Sequence, residues 1–283
     1  MDESQVKVSY YLKNPILCPV CGTSFYKEEM LSGGGRLIAR NITDELRREY
    51  EPSKKVGEVN PLIYPVTVCP ECLYAAFPED FLLIEKELPS VAFSQRRKRK
   101  NDIQLVFPVI DFAGNRNLLS GTASYILAIG CYSFHHKDQA PTFKKALASL
   151  RCAWLFSDLD RKYSGQNYDR LKLIMYRKSM GYYEKVIGYA QTGQERIDGV
   201  KNFGPDLDKN FGFEGVLFIS TLLLYKYGDE GEPHQRIQKL LSAKRIVSKI
   251  FGSGKSSKSK PSFILDQAKD LYEKITGRIE QLS

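Results

Sequence analysis

The sequence predicts an α+β fold: a small β-rich module over residues 1–93, followed by an all-α domain of helical hairpins over residues 118–283. Three observations carry this. Two Cys-Pro-x-Cys pairs fall within the first 72 residues. Apolar spacing before residue 93 is short and partly alternating, broken by Gly and Pro. From Leu118 onward the apolar residues recur at intervals of three and four, the period of an amphipathic helix. The chain has 283 residues, long enough for two domains and for a core that needs no covalent staples.

In the first module, residues 63–68 carry Tyr64, Val66 and Val68 in alternation, which predicts a strand. Gly33-Gly34-Gly35 marks a loop. Residues 37–50 are read as a strand passing into a short charged helix. Residues 78–88 are read as a helix opened by Pro78 and stopped by Pro89. Residues 94–117 read as a basic linker. Six helices are expected after Leu118. Their stripes include Leu119, Thr122, Ile126 and Ile129, then Phe143, Leu147, Leu150 and Trp154. Leu173, Tyr176, Met180, Tyr183, Ile187 and Ala190 form a third stripe. Residues 212–227 and 233–251 supply two more helices, and Ile264, Ala268, Leu271, Ile275, Ile279 and Leu282 mark the last. Short connections imply helical hairpins. Tyr125, Ala128 and Gly130 with Ala146, Leu150 and Ala153 give residues 124–156 a tetratricopeptide-like cast.

The cysteine pairs carry the strongest chemistry. Cys18 and Cys21, and Cys69 and Cys72, each place two thiolates on a proline-fixed turn. Together they supply four soft anionic ligands, a set that suits zinc in a zinc-ribbon-like module. Four sulfurs fill the shell and leave no position for activated water, so the zinc is read as structural. The 47 residues between Cys21 and Cys69 must fold back to bring the pairs together. A thioredoxin-like redox pair would need a βαβ setting that neither pair has. Redox switching through zinc release is the lesser alternative.

Other candidates are weaker. Cys131 and Cys152 sit alone in helical patterns and are expected in the core. His135-His136 is read as a helix-end cap. Residues 252–256 (Gly-Ser-Gly-Lys-Ser) lack the first glycine of a phosphate-binding loop and are read as a flexible basic turn. Asp206, Asp208 and Asn210 begin like a calcium loop, but Phe211 and Leu217 occupy its glycine and glutamate positions. These residues are expected to shape a turn and cap the next helix.

The net charge is +9. Arg96, Arg97, Lys98, Arg99 and Lys100 form one cluster, and residues 233–260 add eight cations and no acid, among them Lys255, Lys258 and Lys260. These clusters exceed the whole surplus, so the remainder is slightly acidic. They are read either as solvated linkers or as contacts to a polyanion. The longest apolar stretch, residues 216–225, is too short to span a bilayer, so no membrane insertion is expected. The N-terminus lacks signal-peptide features, which makes the cytoplasm the default expectation.

The segment from residue 17 to 76 resembles an uncharacterised bacterial family, domain of unknown function 2225. The resemblance rests on the first Cys-Pro-x-Cys (residues 18–25) and on the second, followed by an aromatic and alanine (residues 69–75). Between them lie Arg36, Arg40, Asp44, Tyr50 and an Asn-Pro-x-x-Tyr segment at 60–64. Leu73 stands where the family usually has glycine. The resemblance implies a zinc module with a tetratricopeptide-like helical half, and it implies no reaction. Arg36, Arg40, Asp44 and Tyr50 suggest either a polar site or structural ion pairs, with Arg40 and Asp44 spaced to pair on a helix.

The function expected is a non-enzymatic interaction scaffold with an unidentified protein partner, whose surface could include Tyr182, Tyr183, Tyr189, Tyr225 and Tyr227. The alternative is a nucleic-acid binder that uses residues 96–100 and 244–260, with Phe25 and Tyr26 stacking on bases. Against it, residues 1–95 hold more acids than bases. An enzyme ranks last, because the sequence offers no nucleophile–base pair and no open metal site.

Overall fold

A computed structural model describes residues 7–31, 33–228, 231–251 and 262–283. The fold is α+β, with short antiparallel hairpins before residue 77 and helices after residue 88. Strand β1 (Ser9–Tyr11) pairs with β4 (Glu28–Met30), enclosing a tighter hairpin of β2 (Ile16–Leu17) and β3 (Ser24–Phe25). Strands β5 (Ile38–Ile42) and β6 (Arg48–Glu51) form a longer hairpin with a register shift. A single 3-10 turn, Pro61–Ile63, precedes the hairpin of β7 (Thr67–Val68) and β8 (Ala75–Ala76).

Several sequence expectations change here. Residues 63–66 are not a strand. Asn60 Oδ1 accepts from Leu62 N at 3.1 Å and starts the 3-10 turn instead. Residues 37–50 form a hairpin rather than a strand and a helix, because the turn after β5 reverses through Leu46 at φ 62°. Residues 78–88 fold as turns, and Pro89 opens helix α1 (Pro89–Ser94) rather than stopping one. Proline at the first helical position has no amide to leave unpaired. The expected basic linker contains helix α2 (Arg96–Gln104), which buries Arg99 and Ile103 on one side, one turn apart.

Six helices follow: α3 (Leu118–Cys131), α4 (Pro141–Lys162), α5 (Tyr168–Thr192), α6 (Gly212–Tyr227), α7 (Pro233–Phe251) and α8 (Ser262–Leu282). Asn117 and Ser120 close a reciprocal capping box at the start of α3. Each helix packs on the next in sequence, and α6 also touches α8. Helices α4 and α5 run antiparallel: Phe156 meets Tyr168, Ser179 donates to Ala146 O, and Phe143 meets Tyr183. Helix α4 is buried nearly all round, with Trp154, Leu150 and Phe156 inside. In α5 the buried face is Tyr176, Ser179, Tyr183, Val186 and Ile187, while Leu173 of the expected stripe lies outside. Among the described residues, no helix is long and apolar enough to cross a membrane.

One apolar cluster joins the hairpins to the helices, running from Cys18 to Ile275. The joint is tightest where α3 meets the 3-10 turn. Tyr125 hydroxyl donates to Leu62 O at 2.9 Å. Tyr132 hydroxyl accepts from Phe77 N and donates to Asp80. Tyr74 hydroxyl meets His135 Nε2 at 2.9 Å. His135 is therefore a buried bridge, and only His136 caps a turn, accepting from Asp138 N.

The close approach at this joint depends on Gly121. A Cβ there would lie 2.5 Å from Ile63 Cβ and 2.8 Å from its Cα. Gly121→Ala should destabilise by about 1–3 kcal/mol through overpacking. Gly130→Ala, on the same helix, meets nothing within 4 Å and should be neutral or stabilising by up to about 1 kcal/mol. Urea denaturation checks both. Equal effects at the two positions would contradict the packing account.

Candidate metal centre and the buried carboxylates

The two cysteine pairs sit on matching hairpin loops. In the first, Cys18 N donates to Thr23 O and Gly22 N donates to Cys18 O, both at 2.9 Å. In the second, Cys69 N donates to Tyr74 O at 2.9 Å and Leu73 N to Cys69 O at 3.0 Å. Gly22 has φ 75° and Leu73 has φ 58°, so both loops turn through the left-handed region at the same step. Leucine there costs about 1–2 kcal/mol relative to its ordinary conformation. No ligand position is lost by it.

The hairpins bring all four sulfurs together. Cys18 Sγ lies 3.7 Å from Cys72 Sγ, and Cys21 Sγ lies 3.5 Å from Cys69 Sγ. All four lie within 4.8 Å of one another. A disulfide needs about 2.05 Å. A tetrahedral ion bonded to sulfur at about 2.3 Å spaces its sulfurs about 3.8 Å apart. The donor set therefore fits a tetrahedral metal ion. Cys18, Cys69 and Cys72 are buried, and Cys21 is partly so. Sulfur hydrogen bonds from Cys69 and Cys72 hold the Cys18 thiol below its ordinary range, against the opposing effect of burial.

Cys131 lies just outside this group. Its sulfur accepts from Ala75 N at 3.4 Å, and burial pushes its thiol up to about 11. Burial likewise raises the Cys152 thiol. Arg99 approaches from α2: its Nε and Nη2 both donate to Cys72 O, at 3.0 and 2.8 Å. Arg99 is only 7% exposed.

The candidate polar residues separate. Arg36 donates to Lys7 O and Gly33 O, away from the others. Arg40, Asp44 and Tyr50 line one cavity of about 420 Å³ between the β5–β6 hairpin and α4. Arg40 and Asp44 do not pair with each other, because they lie on a hairpin rather than a helix. Arg40 pairs with Glu51 at 2.9 Å, and Asp44 with Lys226 at 2.7 Å. Burial and the neighbouring Asp206 and Asp208 push the Tyr50 hydroxyl up to about 12, with Arg48 opposing.

Two carboxylates behind this cavity fix the hairpin. Glu45 is buried and accepts from Trp154 Nε1 and Tyr176 hydroxyl, each at 2.7 Å. It also accepts from Lys226 and Tyr227, each at 3.1 Å. Burial, reinforced by Glu45, raises the Tyr176 and Tyr227 hydroxyls well above their ordinary range. Asp158 accepts both Arg47 Nη1 (3.1 Å) and Nη2 (2.5 Å), together with Asn60 Nδ2 (2.8 Å) and Arg161 Nη2 (2.5 Å). Burial alone would lower the Arg47 guanidinium, but the Asp158 charge outweighs it and raises it. Leu46, between Glu45 and Arg47, is fully buried.

Sequence reasoning missed Glu45, Arg47 and Asp158, and it placed Arg99 in a surface cluster rather than beside the cysteines. Apart from Arg161, three residues from Asp158, the partners of these side chains lie 27 to 182 residues away in the chain, beyond the reach of local spacing. The acids at 206–208 serve the same hairpin: Asp206 accepts from Arg48 N at 2.6 Å, and Asp208 pairs with Arg48 at 2.7 Å. Residues 205–208 form a bend, in which Asp206 Oδ1 also accepts from Leu207 N at 2.6 Å. The residue before α6 is Phe211 and makes no side-chain cap, although Asn210 Oδ1 accepts from Gly212 N.

The basic run also divides. Arg97, Lys98 and Lys100 are exposed on α2, Arg96 is partly exposed over the Phe93 ring, and Arg99 turns inward. Arg99 is thus withdrawn from the surface where a polyanion was expected. Lys255, Lys258, Lys260 and the Gly-Ser-Gly-Lys-Ser segment lie outside the described residues. Of the aromatics expected on a partner surface, Tyr183 is buried in the core and Tyr227 serves Glu45.

The profile of a family described as "Uncharacterized protein conserved in bacteria (DUF2225)" matches residues 11–275. A protein of Borreliella burgdorferi, described only as an uncharacterized protein, is 40% identical over 276 residues. The match covers 98% of this chain and 99% of that one. No solved structure matches the chain.

Removing the Glu45 carboxylate would take an acceptor from Trp154, Tyr176 and Tyr227 and leave Lys226 with Asp44 alone. Glu45→Ala should destabilise by about 3–5 kcal/mol, the cost of breaking a buried charge cluster from one side. Glu58→Ala, at the exposed rim of the same cavity, should change stability by no more than about 0.5 kcal/mol. Chemical denaturation distinguishes them. A Glu45→Ala effect below about 1 kcal/mol would show that the hairpin does not depend on this carboxylate.

Proposed function

The chain belongs to the DUF2225 family of bacterial proteins, and from that premise we propose that it is a non-enzymatic, zinc-stapled interaction scaffold. Cys18, Cys21, Cys69 and Cys72 would hold the ion, which would supply a cross-link between two hairpins. The observation that carries this reading is the four-sulfur shell, held on two matching loops at tetrahedral spacing. A tetrathiolate shell has no open position for water or substrate, which is the character of structural zinc. Soft sulfur donors favour zinc over the harder divalent ions.

In this reading the hairpin module is a rigid head on a helical body. The helices α3 to α8, packed each on the next, would form a tetratricopeptide-like surface for a protein partner. Stacked hairpins of this kind commonly present such surfaces. The second reading, a nucleic-acid contact, is favoured by one feature: Arg97, Lys98 and Lys100 all face solvent on α2. Neutralising phosphates would use such a face.

The protein purified without chelators should carry about one zinc per chain, and Cys69→Ser should carry none and melt earlier. Structural zinc contributes on the order of 10 kcal/mol of apparent binding free energy, which exceeds the margin of most domains. Elemental analysis and calorimetry read both. Unchanged metal content with unchanged melting in Cys69→Ser would overturn the zinc reading. An affinity capture from the native cell, with and without nuclease, separates the two partner readings. Partners that survive nuclease support the scaffold, and partners lost with it support nucleic acid.

A further inference from the structure

We infer that Arg99 is the counter-charge of the metal centre, and that through it metal loading fastens helix α2 to the cysteine hairpins. This rests on the zinc reading and deepens it. A buried guanidinium needs a compensating negative charge or it does not stay buried. Arg99 is buried, yet no carboxylate among the described residues pairs with it. The acid of its own helix, Asp102, is taken by Lys98. Two of its nitrogens go to a single neutral acceptor, Cys72 O. The third, Nη1, is buried with no partner among the described protein groups.

The missing charge lies on the ligands. A divalent ion with four thiolates carries two net negative charges. Arg99 is bonded to the backbone of one of those ligands, Cys72, whose sulfur is part of the group. The arginine and the centre therefore offset each other. The donation to Cys72 O also fixes the second loop at the residue before its left-handed step. Groups outside the ligand shell that hold ligands in this way typically change metal affinity by about 10–100-fold when removed.

The consequence reaches α2. Arg99 and Ile103 are the inward residues of that helix, while Arg97, Lys98 and Lys100 face out. Losing the metal would let the thiolates take up protons and so remove most of the charge that offsets Arg99, and α2 would loosen with the centre. Lysine is no full substitute, because it lacks the fork that meets one carbonyl with two nitrogens.

Competition against a chromophoric zinc chelator tests the inference in the full chain. The wild type is titrated first: if it holds no zinc, the zinc reading itself fails. If it does, Arg99→Gln should bind zinc about 10–100-fold more weakly, Arg99→Lys should fall between, and Arg97→Gln should match wild type. Arg99→Gln binding zinc as tightly as wild type would overturn the inference and leave the zinc reading standing. Should Arg99→Gln fail to fold, hydrogen exchange on the wild type decides. Zinc withdrawal should expose the amides of α2 and of residues 69–76 while those of α5 stay protected. Unchanged protection in α2 would overturn the coupling.

Discussion

The structure depends on the meeting of two hairpin loops that are 47 residues apart in the chain. The strands of both hairpins are short, since β2, β3, β7 and β8 are two residues each. A two-stranded hairpin of that length is not stable alone in water. The four sulfurs converge where the two loops meet, and three of the four cysteines are buried. The second loop then extends directly into the apolar core, through Tyr74, Ala75, Ala76 and Phe77. The candidate metal centre is therefore continuous with the packing of α3, rather than appended to it.

The long insertion between the loops is anchored to the helical body as well. Its tip, Glu45-Leu46-Arg47, enters the body as a charged plug. Glu45 is met by donors from α4, α5 and α6, and Asp158 of α4 is met by Arg47 and Asn60. Breaking such clusters from one side is costly, although replacing them whole by apolar groups need not be. Their value here is in register. Several donors converge on each carboxylate, so the hairpin has one seating in which every group is satisfied.

Much of this was legible in the sequence, and the boundary is physical. The four clustered cysteines were readable because each pair is a local turn with fixed spacing. Helices α6 and α7 were readable to the residue, because their apolar period is regular and glycine or proline stands at their starts. The hairpin at 38–51 was missed because its charged residues mimic a helix while their partners lie in α4 and α6. The basic run at 96–100 was misread in part for the same reason. Five adjacent cations look alike in one dimension, and only the helical turn that sets Arg99 beside Ile103 sends one of them inward. Family resemblance pointed to Arg40, Asp44 and Tyr50, which do share a cavity, but not to the adjacent Glu45 and Arg47 that hold the hairpin in place.

The central claim is that Cys18, Cys21, Cys69 and Cys72 together bind one zinc ion. Zinc-edge X-ray absorption on the purified protein tests it most directly. The account predicts a shell of four sulfurs at about 2.3 Å with no nitrogen or oxygen neighbour. A mixed shell with nitrogen or oxygen at about 2.0–2.1 Å, or no protein-bound zinc at all, would contradict it.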